Sequence, residues 1–467
     1  MAGRFYEGEQ KTRPGVYYRD SNGDDVQLIG ARNGETAVAF KANWGPLGKV
    51  VTLTDLNEIA KYFGDDSIAG SNVRILKRIL QGGAATIKAV RVGSGGTKAS
   101  LTLKGGSSDA VILTAAYAGN RALSCTIRDS LSIDTLRECI IYTGTQELLK
   151  VTFTKGTDEA DALTAAINSV VDGVVVAEKK AAAATLTAIN QTAFTAGTSP
   201  EVTAADYSAA FDLLEAEVFN TICVDTEDTA VHALLHAFIL RAADAGLLAL
   251  AFVGEPTSVD YATRKAHAKA FNSEHMHYVL NGFKVGTTTY EGADAAAYAA
   301  GFVAYLPCND SITNKTINGA TEVVGPLTNS QVIECLNSGA IVFTVSASGR
   351  VRIEQGINTL VTLADDQDAG WKKIRRTKTR FELITRVNQN CEAVPGGVSN
   401  DSNGQATVIA IANGVVKEMI SEGKLISGVV TLDPANPPKG DSIWLLMDVH
   451  DLDSVEKIYI HHLFHFN

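Results

Sequence analysis

Hydrophobic and polar positions change their period several times along the chain, and each change predicts a different kind of structure. The opening MAGRFYEGEQKTRPGVYYRD (1–20) is polar and nearly aperiodic, which predicts an extended arm ending in a strand. Pro14 fixes its own φ and pushes Arg13 toward extended geometry. From there to about Arg91, short strand patterns (DVQLIGA, ETAVAFKA, ATIKAVRV) mix with helical ones (LTDLNEIAKYFG, SNVRILKRILQGG). Thr54 or Asp55 can cap the first of these helices, and Asn57 to Phe63 repeat apolar residues at helical spacing. GSGGTKAS (93–100) reads as a linker. Beyond it, short alternating runs such as ASLTLKG, AVILTAA, LSCTIRD, ECIIYTG and LLKVTFTKG are separated by Gly, Asn, Asp and Ser. They predict a small β-sandwich or barrel with a helix near ADALTAAINSVVDG.

After Pro200 the pattern becomes apolar strands (FNTICVD, LLALAFVGE) alternating with long helical stretches, which predicts a parallel sheet. From about residue 346 the pattern is mixed again, with a helix over ATVIAIANGVVKEMISEG and strands over SIWLLMDVHDLD and EKIYIHHLFHF. The predicted fold is therefore α+β and α/β multidomain. Residues 21–92 and 346–455 are expected to pair as one mixed α/β domain, interrupted by a β-sandwich insertion (93–199) and an α/β insertion (200–345). Residues 1–20 and 456–467 form terminal arms.

The closing stretch tests for metal chemistry. Ile458, Ile460, His462, Phe464 and Phe466 alternate with Tyr459, His461, Leu463, His465 and Asn467, the period of a strand. His461 and His465 would then lie about 13 Å apart, too far to share an ion with ligands at about 2 Å. His462 points to the other face.

Composition narrows the class. The 467 residues are 45% hydrophobic, enough for several cored domains, and carry a formal charge of −11, which argues against general nucleic-acid binding. No signal-peptide pattern opens the chain, and no apolar run reaches the length of a membrane span; AGLLALAFVG (245–254) has the length of a buried strand. The six cysteines are scattered, without CxxC, and read as buried free thiols of a reducing compartment.

No constellation amounts to an active site. HALLH sets His232 and His236 four apart, but Ala233 stands where a zincin carries its general base. His275 and His277 share a face with no third ligand nearby. Asp225 after a strand, followed by His232, is a faint echo of a hydrolase order, without the GxSxG or equivalent turn of a nucleophile. GSGG lacks the lysine of a phosphate loop. No cofactor, metal or catalytic residue is expected. One basic run stands out, Lys372, Lys373, Arg375, Arg376, Lys378 and Arg380, and it is expected to meet a complementary acidic protein surface.

The order of RPGVYYR (13–19), GARNGETAVAFKANWGPLGKVVTL (30–53), GPLTNSQVIECLNSGAIVFT (325–344), RVRIEQGINTLVTL (350–363) and WKKIRRTKTRFEL (371–383) resembles the tail sheath proteins of contractile phage tails and phage-tail-like bacteriocins, the Gram-positive prophage type. The resemblance spans nearly the whole chain. It implies an assembly domain from both chain ends with an inserted β-sandwich and an inserted subtilisin-like α/β domain that has no catalysis. It implies hexameric rings of this chain, stacked helically around a tail tube protein and bounded by baseplate and tail terminator proteins. Such a particle is made in a bacterial cytoplasm, with no direct nucleic-acid contact and no membrane insertion.

The resemblance further implies that terminal arms add strands to a neighbour's sheet. The residues expected to do so are Val16, Tyr17, Tyr18, Ile458, Ile460, His462 and Phe464. The basic run is then expected to face the tube. A type VI secretion-like sheath and a subtilisin-like hydrolase are the alternatives.

Overall fold

The computed structural model describes residues 3–4, 17–18, 34–392, 394 and 396–465. Val16, Phe466 and the DVQLIGA segment lie outside the described residues. Gly3–Arg4 (β1) and Tyr17–Tyr18 (β2) form a short parallel pair. The chain divides into two units, residues 32–382 with 451–467, and residues 1–31 with 383–450.

The larger unit starts with β3 (Glu35–Lys41), β4 (Val50–Leu53), α1 (Leu56–Phe63), α2 (Arg74–Gly82) and β5 (Thr86–Val92). Asp55 caps α1 by accepting the backbone N–H groups of Asn57 and Glu58. β5 lies parallel to β3 and antiparallel to β4.

The next segment holds β6 (Lys98–Gly105), β7 (Ser108–Ala118), β8 (Ser124–Asp129), β9 (Leu136–Thr143), β10 (Gln146–Thr154), α3 (Glu159–Asn168), β11 (Val175–Lys179) and β12 (Ile189–Ala193). They build two antiparallel sheets, β10-β9-β8-β12 and β11-β7-β6. Both line one core that includes Leu103, Leu113, Ile127, Ile141, Phe153 and Leu163. Entry and exit of this module run side by side: Ser94 bridges Glu201, Thr97 bridges Thr198 and Ser100 bridges Thr195.

After it come α4 (Ala204–Leu214), β13 (Thr221–Val224), α5 (Thr229–Asp244), β14 (Leu250–Gly254), α6 (Tyr261–Phe271), β15 (Met276–Val279), β16 (Gly282–Val285), β17 (Thr288–Tyr290), α7 (Ala293–Tyr305), β18 (Ala320–Val324), α8 (Asn329–Asn337) and β19 (Ala340–Ile341). The central sheet has the order β19-β15-β14-β13-β3-β5-β4. This corrects the expected pairing of 21–92 with 346–455. Strands from 35–92 instead continue the sheet of 200–345, because β13 returns to lie parallel against β3.

β3 is buried on both faces. Val38 and Phe40 enter one core with α2 and α7, whereas Ala37 and Ala39 enter the other with α4 and α5. Its apolar run is what a central strand requires, but a run of that kind does not name its partner strands. Across the first core α2 and α7 approach backbone to backbone, since a Cβ on Gly301 would lie 2.1 Å from Ile79 O and one on Gly82 2.3 Å from Tyr298 O.

Next follow β20 (Phe343–Val345), β21 (Val351–Ile353), a 3-10 turn over Ala369–Lys372, α9 (Ile374–Cys391), α10 (Ser402–Ser421), β22 (Leu425–Leu432) and β23 (Leu445–Asp451). β20 and β21 pair antiparallel, and β16 joins β17 and β18 in a small sheet. The smaller unit has its own core of Leu383, Val387, Ala412, Val415, Val416, Met419, Leu425 and Val430. Within it the buried Arg386 guanidinium donates to both carboxylate oxygens of Glu422 at 3.0 Å. Among the described residues β22 and β23 make a sheet of two strands.

Candidate assembly surfaces

The chain beyond β23 splits into a fastened root and an unpartnered tail. At the root, Arg376 Nε and Nη2 donate to Asp451 Oδ2 and Oδ1 at 2.6 and 2.9 Å, while its Nη1 reaches Asp368. Lys373 Nζ donates to Asp453 Oδ2 at 2.6 Å and lies 3.3 Å from Glu456 Oε2. Glu456 also accepts from Thr313 Oγ1 at 3.1 Å and from Gln355 Nε2 at 3.0 Å. Burial pushes the Asp453 carboxyl up, but hydrogen bonds from Lys373 and the Ser454 backbone, with Arg375 nearby, hold it below the ordinary carboxylate range.

The tail differs in every respect. From Leu452 to His465 no strand pairing forms among the described residues, and the strand expected over 458–466 has no partner among them. A strand requires a neighbour to complete its hydrogen bonds, and the described residues of this chain supply none. Ile458, Tyr459, Ile460, Leu463 and Phe464 are 71–88% exposed. The rings of His462 and Phe464 stack with centroids 6.1 Å apart. Of the opening arm, Tyr17 and Tyr18 are described only as backbone in β2.

The basic run lies at the start of α9 and in the turn before it. It is not the isolated cationic stretch on which the expectation of a tube-facing surface rested. Lys372 Nζ donates to Val361 O, and Arg375 Nε donates to Asn309 O. Lys378 Nζ donates to Val303 O and Leu306 O. Arg380 pairs with Glu274 and lies over the Trp371 ring, 3.7 Å from its centroid. With Lys373 and Arg376 bound as above, all six cations have partners inside the chain. Spacing along the sequence could not reveal this, because Glu274, Val303, Leu306, Asn309, Asp451 and Asp453 lie 66 to 106 positions away.

Asp225 and His232 sit at the C-terminal end of β13 and the start of α5 without sharing a hydrogen bond. Asp225 accepts from Tyr207 OH at 2.5 Å, Asn72 Nδ2 at 2.6 Å and the Lys41 backbone at 2.8 Å. Burial pushes its carboxyl up, against these bonds, which favour the charged form. His232 Nε2 meets Thr226 O at 2.9 Å, and burial lowers its pKa. His236 turns away to meet the edge of Phe271. His275 and His277 set their Nδ1 atoms 3.2 Å from Ala249 O and Ala251 O. Burial lowers His277 to about 3. Asp225 is thus a buried joint between β3, the turn before α2, α4 and β13, and the histidines are strand and helix packing residues.

The architecture is similar to that of tail sheath proteins, over nearly the whole chain in fold and over its central segment in sequence. Residues 200–359 match the family model of the phage tail sheath protein central domain. The fold is similar to that of the sheath tail protein of Desulfitobacterium hafniense, with a TM-score of 0.71, 20% identity, and coverage of 94% of this chain and 100% of that one. The sheath tail protein of Listeria innocua gives 0.67 at 20% identity, covering 91% and 97%. The anti-feeding prophage helical sheath in its contracted state gives 0.57 at 10%, covering 97% and 99%. Among curated proteins, the chain is 26% identical to the phage-like element PBSX protein XkdK of Bacillus subtilis, over 83% of this chain and 80% of that one. It is 23% identical to YqbK of the same organism, over 98% of each.

Proposed function

We propose that this chain is the sheath subunit of a contractile tail of a phage or phage-tail-like particle. It polymerises as stacked hexameric rings around a tail tube, between baseplate and terminator, and contracts from a metastable extended state to drive the tube through a cell envelope. The observation that carries this reading is the tail. Five large apolar side chains stand exposed on a segment with no strand partner among the described residues, in a chain whose residues 200–359 match the phage tail sheath protein central domain. A free strand of this composition is an aggregation hazard unless a second copy pairs with it.

The receiving sheet in this reading is the β22–β23 pair of another subunit, to which Ile458, Ile460, His462 and Phe464 add by strand addition. Val16, Tyr17 and Tyr18 of a further subunit do the same from the opening arm. Each backbone hydrogen bond contributes about 0.5–1.5 kcal/mol net, so about six tether a subunit while leaving it free to slide. The energy of contraction is a difference between two packings of the same subunits, so no nucleotide, metal or catalytic residue takes part. The α/β unit keeps a subtilisin-like ancestry in this reading only as fold.

The test is removal of residues 457–467, which leaves the fastened root in place. The shortened chain should remain a folded monomer by light scattering and circular dichroism while the full chain forms tubular polymers. Normal polymers from the shortened chain would remove the tail from the mechanism, and global unfolding would place it in the subunit's own core.

A further inference from the structure

We propose that Cys125 and Cys139 form a latent disulfide site, a redox-modifiable pair inside the β-sandwich that closes when the protein meets an oxidant. In the ladder of β8 and β9, Cys125 stands opposite Ile141 and Cys139 opposite Ile127. The two cysteines are diagonal neighbours on the core face of the sheet. Their Sγ atoms lie 3.7 Å apart, in van der Waals contact, and neither side chain reaches solvent. A disulfide places the sulfurs at about 2.0 Å, so closure asks for side-chain rotation and a small movement of two hydrogen-bonded strands. The other four cysteines, Cys223, Cys308, Cys335 and Cys391, sit at β13, just past α7, on α8 and on α9, each in a different part of the fold.

The chemistry is thiol–disulfide exchange with a small disulfide as oxidant. One cysteine thiolate attacks the oxidant, forms a mixed disulfide and releases one reduced thiol. The second cysteine thiolate then attacks the protein sulfur of that mixed disulfide, forming the Cys125–Cys139 bond and releasing the second thiol. Two protein thiols are oxidised, one small disulfide is reduced to two thiols, and the two protons end on those thiols. The neighbouring Cys139 sulfur and burial push the Cys125 thiol up. Thiolate is therefore scarce, and the pair stays reduced until the sheet opens locally. β8 and β9 are both interior strands of their sheet, covered by β12 and β10, which makes the reaction slow and selects small oxidants. Once closed, the bond pins the β8–β9 hairpin through 14 positions of sequence.

The experiment treats the native full-length chain with oxidised glutathione, then unfolds it in N-ethylmaleimide. The reduced chain should take six maleimides, one for each cysteine in the sequence, and the oxidised chain four. Trypsin should release the peptide Ala122–Arg128 joined to Glu138–Lys150. The oxidised form should melt higher, by about 5 °C or more for a loop of this length. Cys125→Ala should take five maleimides with or without oxidant. Six maleimides after oxidation would overturn the proposal. So would glutathione adducts without the cross-linked peptide, or a cross-link that forms only in urea. Because the cross-link is read in the unmodified sequence, a variant that failed to fold would leave the test intact.

Discussion

Arg376 and Asp451 form a two-pronged ion pair, Nε to Oδ2 at 2.6 Å and Nη2 to Oδ1 at 2.9 Å, which joins the start of α9 to the residue where the last strand ends. The relationship assigns the basic run a task that its sequence context hid. Three of its cations, Lys373, Arg375 and Arg376, fasten the acids Asp451, Asp453 and Glu456. The point from which a free tail departs is thereby fixed at Glu456.

Breaking that fastening should loosen the root without unfolding the chain. For Arg376→Ala we expect amide hydrogen exchange over 451–456 to rise at least tenfold, while α7 exchanges unchanged. The loss corresponds to about 1.5–3 kcal/mol for a charged hydrogen-bonded pair. Acid should act in the same direction. Asp453 is held below its ordinary value, so its contribution is present above about pH 4 and is lost as pH falls through the lowered value. Unchanged exchange at neutral pH in the variant would mean that Glu456, with Thr313 and Gln355, holds the root alone.

Asp225 should prove structural. Replacing it with Ala strands the Tyr207 hydroxyl and the Asn72 amide, each at about 1–3 kcal/mol. We expect a loss of about 3 kcal/mol in urea unfolding and no peptide turnover before or after the change. Turnover by the natural chain that vanished in Asp225→Ala would instead reveal a hydrolase.

His277 gives a prediction for pH. Its folded-state value of about 3 lies below the ordinary value of about 6.5. The unfolded chain therefore takes up the proton first, and stability rises with pH between those limits, by up to about 1.4 kcal/mol per unit. His277→Phe keeps the ring that stacks on Phe252 at 4.6 Å and should flatten the profile by one proton's slope. His275, also lowered by burial, keeps a slope of the same sign in the variant. An unchanged profile would show that His277 reaches solvent in the fold.

The sequence disclosed local structure well and long-range pairing poorly, for physical reasons. Thr54 or Asp55 marked the start of α1 because a cap is a contact across three residues, and Asp55 is the one that caps it. The alternating runs of 100–197 pointed to a small β-sandwich or barrel, because alternation marks strands with one wet face, but alternation does not say which strands share a sheet. The membership of β3 in the central sheet was hidden because a strand buried on both faces has no alternation to read, and its neighbour β13 lies beyond an inserted module. The partners of the basic run were hidden for the same reason, since nothing in a charge pattern tells which distant acid will fold against it. The tail has the period of a strand, but a period does not supply the partner that a strand needs, and none stands among the described residues.

The neck of the β-sandwich has one further consequence. Because Ser94, Thr97 and Ser100 meet Glu201, Thr198 and Thr195, the chain leaves the central sheet and returns to it through a single narrow doorway. The sheet on the far side closes without any strand from the module. Trp44 and Ile68, from the segment between the central sheet's strands, still pack into the core of the module, so that neck is a grafting point only for a domain that keeps both covered. A foreign domain whose two ends lie as close together could be displayed there while the sheet beneath it keeps its order.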